Sequence, residues 1–298
     1  MSEQPTILDG RKVSEQIEQE IITEVAAIKK AGLKMPHLAA IIVGDDGASL
    51  TYVDHKVKAC NRVGFDSTLL KFSTSITEER LLKEIRRINN DEEIDGLIVQ
   101  LPLPEHISAA KVTETILPGK DVDGFTNENY GRIVSPYPGL TPATPFGVME
   151  LLSRYDIPTR GKHAVVVGHS RIAGAPLASL LSQKGDATVT QCHIHTTDLA
   201  SHTRQADILC VAVGKPGLIT GDMVKEGAVV VDMGITRVSD SSKKRGYRLA
   251  GDVVYDEVAT KASFITPVPG GVGPMTISSL LLNTLTAAKN RHDGPETA

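Results

Sequence analysis

Runs of apolar residues alternate along this chain with stretches of helical spacing. The pattern predicts a helix over 13–31, a strand at HLAAIIVG, a helix over 49–63, a strand at STLLKF, a helix over 77–90 and a strand opening GLIVQLPLP. Strand and helix in strict alternation imply parallel strands joined by helical crossovers, because a tight turn can join only antiparallel neighbours. A Pro- and Gly-rich stretch over 135–145 breaks the order, and its end, Thr144-Pro145, offers a helix cap followed by a proline suited to a first helical turn. Beyond it the runs KHAVVVGHSRIAG, ATVTQCHIH, DILCVAV, GAVVVDMG and SFITPV predict a second parallel sheet. A last helix over 275–289 follows the turn PGGVGPMT and is expected to cross back onto the first domain; the tail RHDGPETA is expected to lack structure. The fold class is therefore α/β in two domains with a cleft between them. An N-terminal α/β catalytic domain with a parallel sheet takes 1–143 and 275–298, and a Rossmann-like dinucleotide-binding domain takes 144–274.

Composition narrows the partners. The chain has 298 residues, 41% of them hydrophobic, enough to bury the cores of two ordinary domains. Lys plus Arg count 32 against 36 Asp plus Glu, giving a net charge of −4 with neither sign gathered into a block, which removes the electrostatic case for nucleic acid. Cys60, Cys192 and Cys210 stand far apart with no CxxC pair, as expected of free thiols in a reducing compartment. The polar start and the lack of any run near the ~18 apolar residues of a membrane span give a cytoplasmic expectation with no membrane partner.

In VVVGHSRIAGAP, Gly168 closes a strand-like run, Ser170 follows, and Gly174 stands in the opening turn of a helix. A loop poor in side chains lets a phosphate reach backbone N–H groups at a helix N-terminus, whose partial positive charge favours it. The spacing is GxSxxxG and not GxGxxG, and such a turn also serves as a plain tight connection. The four strand-like runs that follow favour the dinucleotide reading, since a doubly wound unit opens its crevice at the strands' carboxyl ends, near Gly214, Gly234, Ile235 and Gly251. An NAD-selective site places Asp or Glu about 20 residues after the turn to hold the ribose hydroxyls. Here the second strand ends CHIHTT, with neither an acid nor an arginine, only His169, His193 and His195 in the neighbourhood. These residues leave NAD and NADP both open.

The helix that begins SLTYVDHK puts Ser49, Tyr52 and Lys56 in one narrow sector beside the apolar stripe of Val53, Val57 and Cys60, while Lys58 points the other way. A sheltered ammonium beside a phenol can be tuned toward general acid–base work, although a snorkelling lysine with a boundary tyrosine gives the same pattern. Gln100 interrupts the apolar run GLIVQLPLP, where an amide needs partners, and its carbonyl can hold a lysine ammonium. Asp123 in KDVDGF can accept two parallel hydrogen bonds from an amidine-like edge such as a pterin ring, or simply form the turn before Gly124. A calcium site at Asp121 and Asp123 is excluded because Phe125 and the misplaced glycine break the EF-hand spacing, so no metal is expected.

SLTYVDHK, GLIVQLPLP, KDVDGF, TPATPFG, VVVGHSRIAG and TPVPGGVGPMT, in this order and over nearly the whole chain, resemble the bifunctional methylenetetrahydrofolate dehydrogenase/methenyltetrahydrofolate cyclohydrolase family. The resemblance implies that Lys56 is the central catalytic residue, with Tyr52 orienting substrate, Gln100 tuning Lys56 and Asp123 holding the pterin edge. It implies a folate cleft lined by Tyr52, Lys56, Val99, Gln100, Leu101, Pro269, Gly270, Gly271, Val272 and Gly273, cofactor contacts from Gly168, His169, Ser170, Ile194 and Ile235, and a homodimer. The implied chemistry is oxidation of 5,10-methylenetetrahydrofolate with NADP, NAD being possible, then hydrolysis of the methenyl product to 10-formyltetrahydrofolate. Against the family pattern the turn reads GHS in place of GRS and the later strand CHI in place of CHS, which bears on the 2′-phosphate; Ala143 stands where cysteine is common. Rival readings are a cyclohydrolase with a weakened cofactor site, a non-catalytic dinucleotide sensor that leaves Tyr52, Lys56 and Gln100 without purpose, and a dehydrogenase of another small metabolite, which would call for a catalytic histidine beside an arginine.

Overall fold

The computed structural model describes residues 4–243 and 245–293. The first half of the chain forms β1 (Thr6–Ile7), α1 (Gly10–Lys30), β2 (His37–Val43), α2 (Gly47–Val63), β3 (Asp66–Phe72), α3 (Glu78–Asn89), β4 (Gly96–Val99), α4 (Ala109–Thr115), α5 (Asn127–Ile133) and α6 (Ala143–Arg154). The second half forms β5 (His163–Val167), α7 (Gly174–Gln183), β6 (Thr188–Cys192), α8 (Leu199–Thr203), β7 (Ile208–Val211), β8 (Val229–Asp232), β9 (Thr236–Ser239), β10 (Tyr247–Ala250), α9 (Tyr255–Val258), β11 (Phe264–Ile265) and α10 (Val272–Asp293). These elements divide into two compact units, one of 15–143 with 277–298 and the other of 1–14 with 144–276. No helix among the described residues is long and apolar enough to cross a membrane.

The unit containing residues 15–143 is built on a parallel sheet ordered β3-β2-β4. Its central strand, LAAIIV after His37, is buried along its whole length because helices cover both faces of a parallel sheet. Local chemistry sets the helix ends. The Asp46 carboxylate accepts from the Ser49 N–H to start α2, which stops at Gly64 in the left-handed conformation (φ 83°). Thr77 caps α3 in the same way and Leu81, Ile85 and Ile88 form its buried stripe. The hydrophobic pattern leaves residues 105–134 without an element, yet two short helices form there, capped by Ser108 and Thr126. Each spans seven residues, too few for a helical period to emerge from sequence.

The other unit holds a six-stranded sheet in the order β1-β11-β8-β7-β5-β6, parallel throughout. Successive strands leave β5 in opposite directions, β6 on one side and β7 on the other, which is the switch point at which doubly wound sheets open their crevice. The core is a cluster of small aliphatics that includes Val165, Val167, Leu209, Val211, Val230 and Ile265. Two features depart from the sequence expectation. Residues 4–14, assigned to the first domain by position, cluster with this unit, because Thr6 and Ile7 pair with Phe264 and Ile265 as an edge strand. An antiparallel hairpin of β9 and β10 follows β8, with Arg237 stacked 4.8 Å from the Tyr247 ring. The final helix is longer than its apolar pattern, starting at Val272 and continuing through Asp293; residues 294–298 of the tail lie outside the described residues.

Candidate active site

Lys56 sits on the third turn of α2 with only 6% of its surface exposed, whereas Lys58, two residues on, is turned to solvent and pairs with Asp54 at 2.7 Å. A buried ammonium must be paired or lose its proton. Lys56 Nζ donates to Gln100 Oε1 at 3.4 Å and faces Asp123 Oδ1 at 3.7 Å. Gln100 is itself fixed. Its N–H continues the sheet by donating to Ile41 O at 2.9 Å, and its amide Nε2 donates to Leu101 O at 2.8 Å, which turns the carbonyl oxygen toward Lys56. Val99 ends the strand opposite Ile41, so Val99, Gln100 and Leu101 leave the sheet at its carboxyl edge. Tyr52, one turn before Lys56, is 44% exposed, and among the described residues no hydrogen bond joins its phenol to the ammonium.

Asp123 owes its place to Asp121, a residue with no functional signal in the sequence. Asp121 is 1% exposed and accepts from the N–H groups of Phe125 (3.1 Å) and Thr126 (2.8 Å) and from Asn129 Nδ2 (3.0 Å). Its oxygens are spent on folding the loop. Asn283 of α10 pins the same loop by donating to Val122 O and Thr141 O, each at 2.8 Å. Gly124 at φ +72° completes the turn, where a Cβ would stand 2.5 Å from Pro142 N. Burial pushes the Asp123 carboxyl above its usual range, and the nearby Lys56 pulls it back. The result is a cation and an anion, both sheltered, on a rigid frame of strand, helix and pinned loop. A cavity of about 650 Å³ elsewhere in this unit is lined by Asp95, Lys120, Arg132 and Arg291 among others, and by none of Tyr52, Lys56, Gln100 and Asp123.

In the other unit Gly168 follows β5 at φ +122°, where a Cβ would meet Ala212 O at 2.3 Å, and a Cβ on Gly174 would meet Gly168 O at 2.2 Å. The two glycines let helix α7 start hard against the strand end. No side chain caps that helix, and His169, Ser170, Arg171 and Ile172 are exposed over it. A helix start without a side-chain cap, set against a strand end by glycines where no larger residue fits, matches what a pyrophosphate needs, so the residues present fit a dinucleotide. Ile194 (89% exposed) follows β6 and Ile235 (51%) follows β8, at the same end of the sheet. Pro269, Gly270, Gly271, Val272 and Gly273 also belong to this unit, as the turn into α10; Gly271 N–H closes it onto Pro267 O at 2.9 Å.

Two aspartates unanticipated from sequence shape these loops. Asp252 is fully buried and accepts from Val213 N–H (2.7 Å) and Gly214 N–H (3.0 Å). Asp232 accepts from the N–H groups of Gly234 (2.8 Å), Asp252 (3.0 Å) and Val253 (3.0 Å), and burial raises its pKa to about 6. Together they tie the segments after β7, β8 and β10. Asp232 ends the run VVVD as Gln100 ends LIVQ, and that shared signal of a polar residue closing an apolar strand was available in the sequence.

A family model for the catalytic domain of tetrahydrofolate dehydrogenase/cyclohydrolase matches residues 8–123, and the model for that family's NAD(P)-binding domain matches residues 142–292. The chain is 58% identical over 285 residues to the bifunctional protein FolD of Cytophaga hutchinsonii, covering 95% of this chain and 98% of that one. Among solved structures it is similar to the bifunctional methylenetetrahydrofolate dehydrogenase/cyclohydrolase of Campylobacter jejuni (46% identity, TM-score 0.90, 96% of this chain and 99% of that one). It is also similar to the Trypanosoma brucei dehydrogenase-cyclohydrolase complexed with NADP cofactor and inhibitor (41% identity, TM-score 0.92, 97% and 99% covered).

Proposed function

Because the chain belongs to the tetrahydrofolate dehydrogenase/cyclohydrolase family, we propose that it oxidises 5,10-methylenetetrahydrofolate and hydrolyses the methenyl product to 10-formyltetrahydrofolate, with Lys56 as the central catalytic residue. The observation that carries this is the buried Lys56 ammonium set between Gln100 and Asp123 within the unit matched to the family's catalytic domain. A bound nicotinamide supplies the hydride acceptor for the one-carbon bridge. For that step the chain's own work is positioning, with Gly168, His169, Ser170, Ile194 and Ile235 holding the dinucleotide and Tyr52, Val99 and Leu101 holding the folate.

Hydrolysis needs proton transfer. For this step Lys56 must first give up its ammonium proton and act as the free amine: water adds to the methenyl carbon and yields a proton to the Lys56 amine; that proton passes to N5 as the C–N5 bond opens and the hydroxyl, losing its own proton, becomes the formyl carbonyl. One proton is released overall. Gln100 and Asp123 suit Lys56 to this role because they hold its nitrogen in place without neutralising it in a tight pair. Asp123 also presents a carboxylate to the amidine-like edge of the pterin. We assign NADP as the preferred cofactor, NAD being usable: no acid stands in the CHIHTT segment that closes β6 to hold a free 2′-hydroxyl, and the relative solved with a cofactor holds NADP. The three cysteines, buried and unpaired, fit a reducing cytoplasm, and a homodimer is the assembly we assign, as the sequence resemblance implies.

The test follows the methenyl chromophore after purified protein is mixed with 5,10-methylenetetrahydrofolate and NADP, or NAD, and repeats it with Lys56→Gln. The expected result is chromophore that forms and decays in the wild type but accumulates in the variant. A variant that hydrolyses added methenyl compound at the normal rate would remove Lys56 from the mechanism.

A further inference from the structure

The cavity of about 650 Å³ in the unit of 15–143 and 277–298 has the size of a small-molecule site, and every residue that lines it belongs to that unit. Its walls come from Ile94 and Asp95 ahead of β4, the short helical turn Pro118–Lys120, α5 with the segment after it, and the last turns of α10. It thus lies at the amino-terminal end of β4, whereas Gln100 and Lys56 stand at the carboxyl end. The lining is mostly apolar, and two of its members, Leu117 and Tyr137, are large apolar side chains left exposed.

Three cations and two carboxylates line the cavity. Lys120 donates to Ile88 O (2.8 Å) and Asp91 O (2.6 Å) around the end of α3, and Arg132 pairs with Glu128 and donates to Pro138 O at 3.0 Å. Asp95, its side chain wholly buried, lies between two cations: Oδ2 takes Lys34 Nζ at 3.3 Å, and Oδ1 stands 2.9 Å from Arg291 Nη1. One carboxylate therefore answers two cations. The turn before it carries three more acids, but Asp91 faces Arg87 at 3.8 Å, and Glu92 and Glu93 are exposed and line no part of the cavity. Arg291 is only half engaged. Its contact with Asp95 lacks the alignment of a hydrogen bond, its Nη1 donates to Glu92 O, and its Nη2 is buried with no acceptor among the described residues. A buried donor on a charged group is costly to leave unpaired.

The same walls frame the loop that presents Asp123. Asn129 is buried against the cavity, and its side chain makes three bonds: Nδ2 donates to Pro118 O (2.8 Å) and to Asp121 Oδ2 (3.0 Å), and Oδ1 accepts from Leu140 N–H (3.2 Å). Pro118 and Leu140 line the cavity as well, and Lys120 directly precedes Asp121. We propose that this cavity is a second small-molecule site, for an aromatic monocarboxylate that packs its ring on Tyr137 and Pro138 and pairs with Arg291, and that its occupant braces the frame of the Asp123 loop. One surplus cation calls for one negative charge, and a carboxylate matches the planar fork of a guanidinium. Flat walls of tyrosine and proline suit a ring. Arg291 ends a flexible stem and its side chain is 29% exposed, so a small rotation brings Nη2 to an acceptor in the cavity. The binding stands apart from the reaction; the bracing rests on the reading of Asp123 as a folate contact.

The experiment titrates the full-length protein, with NADPH present at saturation, with 2-naphthoate and follows binding by saturation-transfer NMR. The expected Kd is on the order of 1 mM, ordinary for a ligand of about 13 non-hydrogen atoms. Arg291→Met should weaken binding about tenfold by removing the charge, Tyr137→Ala about threefold by removing the ring, and Lys56→Met should leave it unchanged. Tyr137 is exposed, so its variant carries the test even if Arg291→Met does not fold, which circular dichroism checks. In the methenyl hydrolysis assay, saturating 2-naphthoate should lower the folate KM about twofold, because an occupant that favours the braced loop and a folate that needs it strengthen each other. No binding, or equal binding by the wild type, Arg291→Met and Tyr137→Ala, would overturn the site. Binding lost in Lys56→Met, or a KM that rises, would put the compound in the catalytic cleft and overturn it too. Binding with an unmoved KM would overturn the bracing alone. A protein that hydrolyses no methenyl compound would refute the proposed reaction, while the naphthoate titration would still decide the site.

Discussion

The lysine site and the glycine turn are built from opposite materials. Around Lys56 the working groups are side chains, and each is aimed by another contact: Gln100 by its own amide bond to Leu101 O, Asp123 by the loop that Asp121 folds and Asn283 pins. In the dinucleotide site proposed at Gly168 and Gly174 the working group is the backbone, and what matters is the absence of side chains, since a Cβ at either glycine would collide with a carbonyl oxygen. A side-chain site concentrates its chemistry in one atom that can be deleted. A backbone site spreads it over several N–H groups that no single substitution removes, so it fails only when the chain path is distorted. Sequence changes should therefore hit the two regions with different force and in different observables.

The largest expected effect is at the deletable atom. Lys56→Met should lower the rate of methenyl hydrolysis by about 10³-fold, within the range that positioned acid–base groups supply, while NADPH affinity measured by fluorescence stays within about twofold of wild type. A parallel loss of nucleotide binding would mean that the two sites are not separable.

Next comes a test of what holds the loops after β8 and β10 in the same unit. Asp232, raised from 3.8 to about 6 by burial, binds its proton more tightly in the folded than in the unfolded chain. Its stabilising contribution is complete below about pH 4 and is lost as pH climbs through about 6, an effect on the order of 3 kcal/mol. Urea unfolding at intervals from pH 4 to pH 7 should show the wild type losing that much more stability than Asp232→Asn across this window. Equal slopes for the two proteins would show that the three N–H donors to Asp232 fully offset its burial.

Asp123→Asn should raise the KM for the folate by about 30-fold, because an amide cannot accept two parallel hydrogen bonds where the carboxylate can, with a smaller fall in kcat; the loss corresponds to about 2 kcal/mol. Steady-state kinetics of the cyclohydrolase reaction separates the two parameters. A kcat loss as large as that of Lys56→Met, with KM unchanged, would move Asp123 from substrate binding into the proton transfer itself.

The smallest effect probes the turn. Gly174→Ala, whose Cβ would lie 2.2 Å from Gly168 O, should weaken NADPH binding about tenfold, or about 1.4 kcal/mol, by pushing α7 away from the strand end. Hydrolysis of added methenyl compound should be unaffected. If nucleotide affinity is unchanged, the close approach of the two glycines serves packing alone.

What the sequence determined by itself was whatever depends on neighbours along the chain. Period 2 against period 3.6 marked the long strands and helices. The helical sector of α2 separated Lys56 from Lys58, and Gln100 stood out as a polar residue closing an apolar strand. The glycine turn at Gly168 was legible because φ > 0 and close approach leave a residue-type signature. What only the tertiary structure decided depends on residues far apart in sequence. A two-residue strand at Thr6–Ile7 has no period to detect, and it belongs to the second unit only because it pairs with Phe264 and Ile265 some 250 positions later. The hairpin after β8 and the seven-residue helices α4 and α5 are likewise too short to announce themselves. Asp121 and Asp252 carry no signal until folding removes water from them, and a buried carboxylate is then obliged to gather the N–H groups around it.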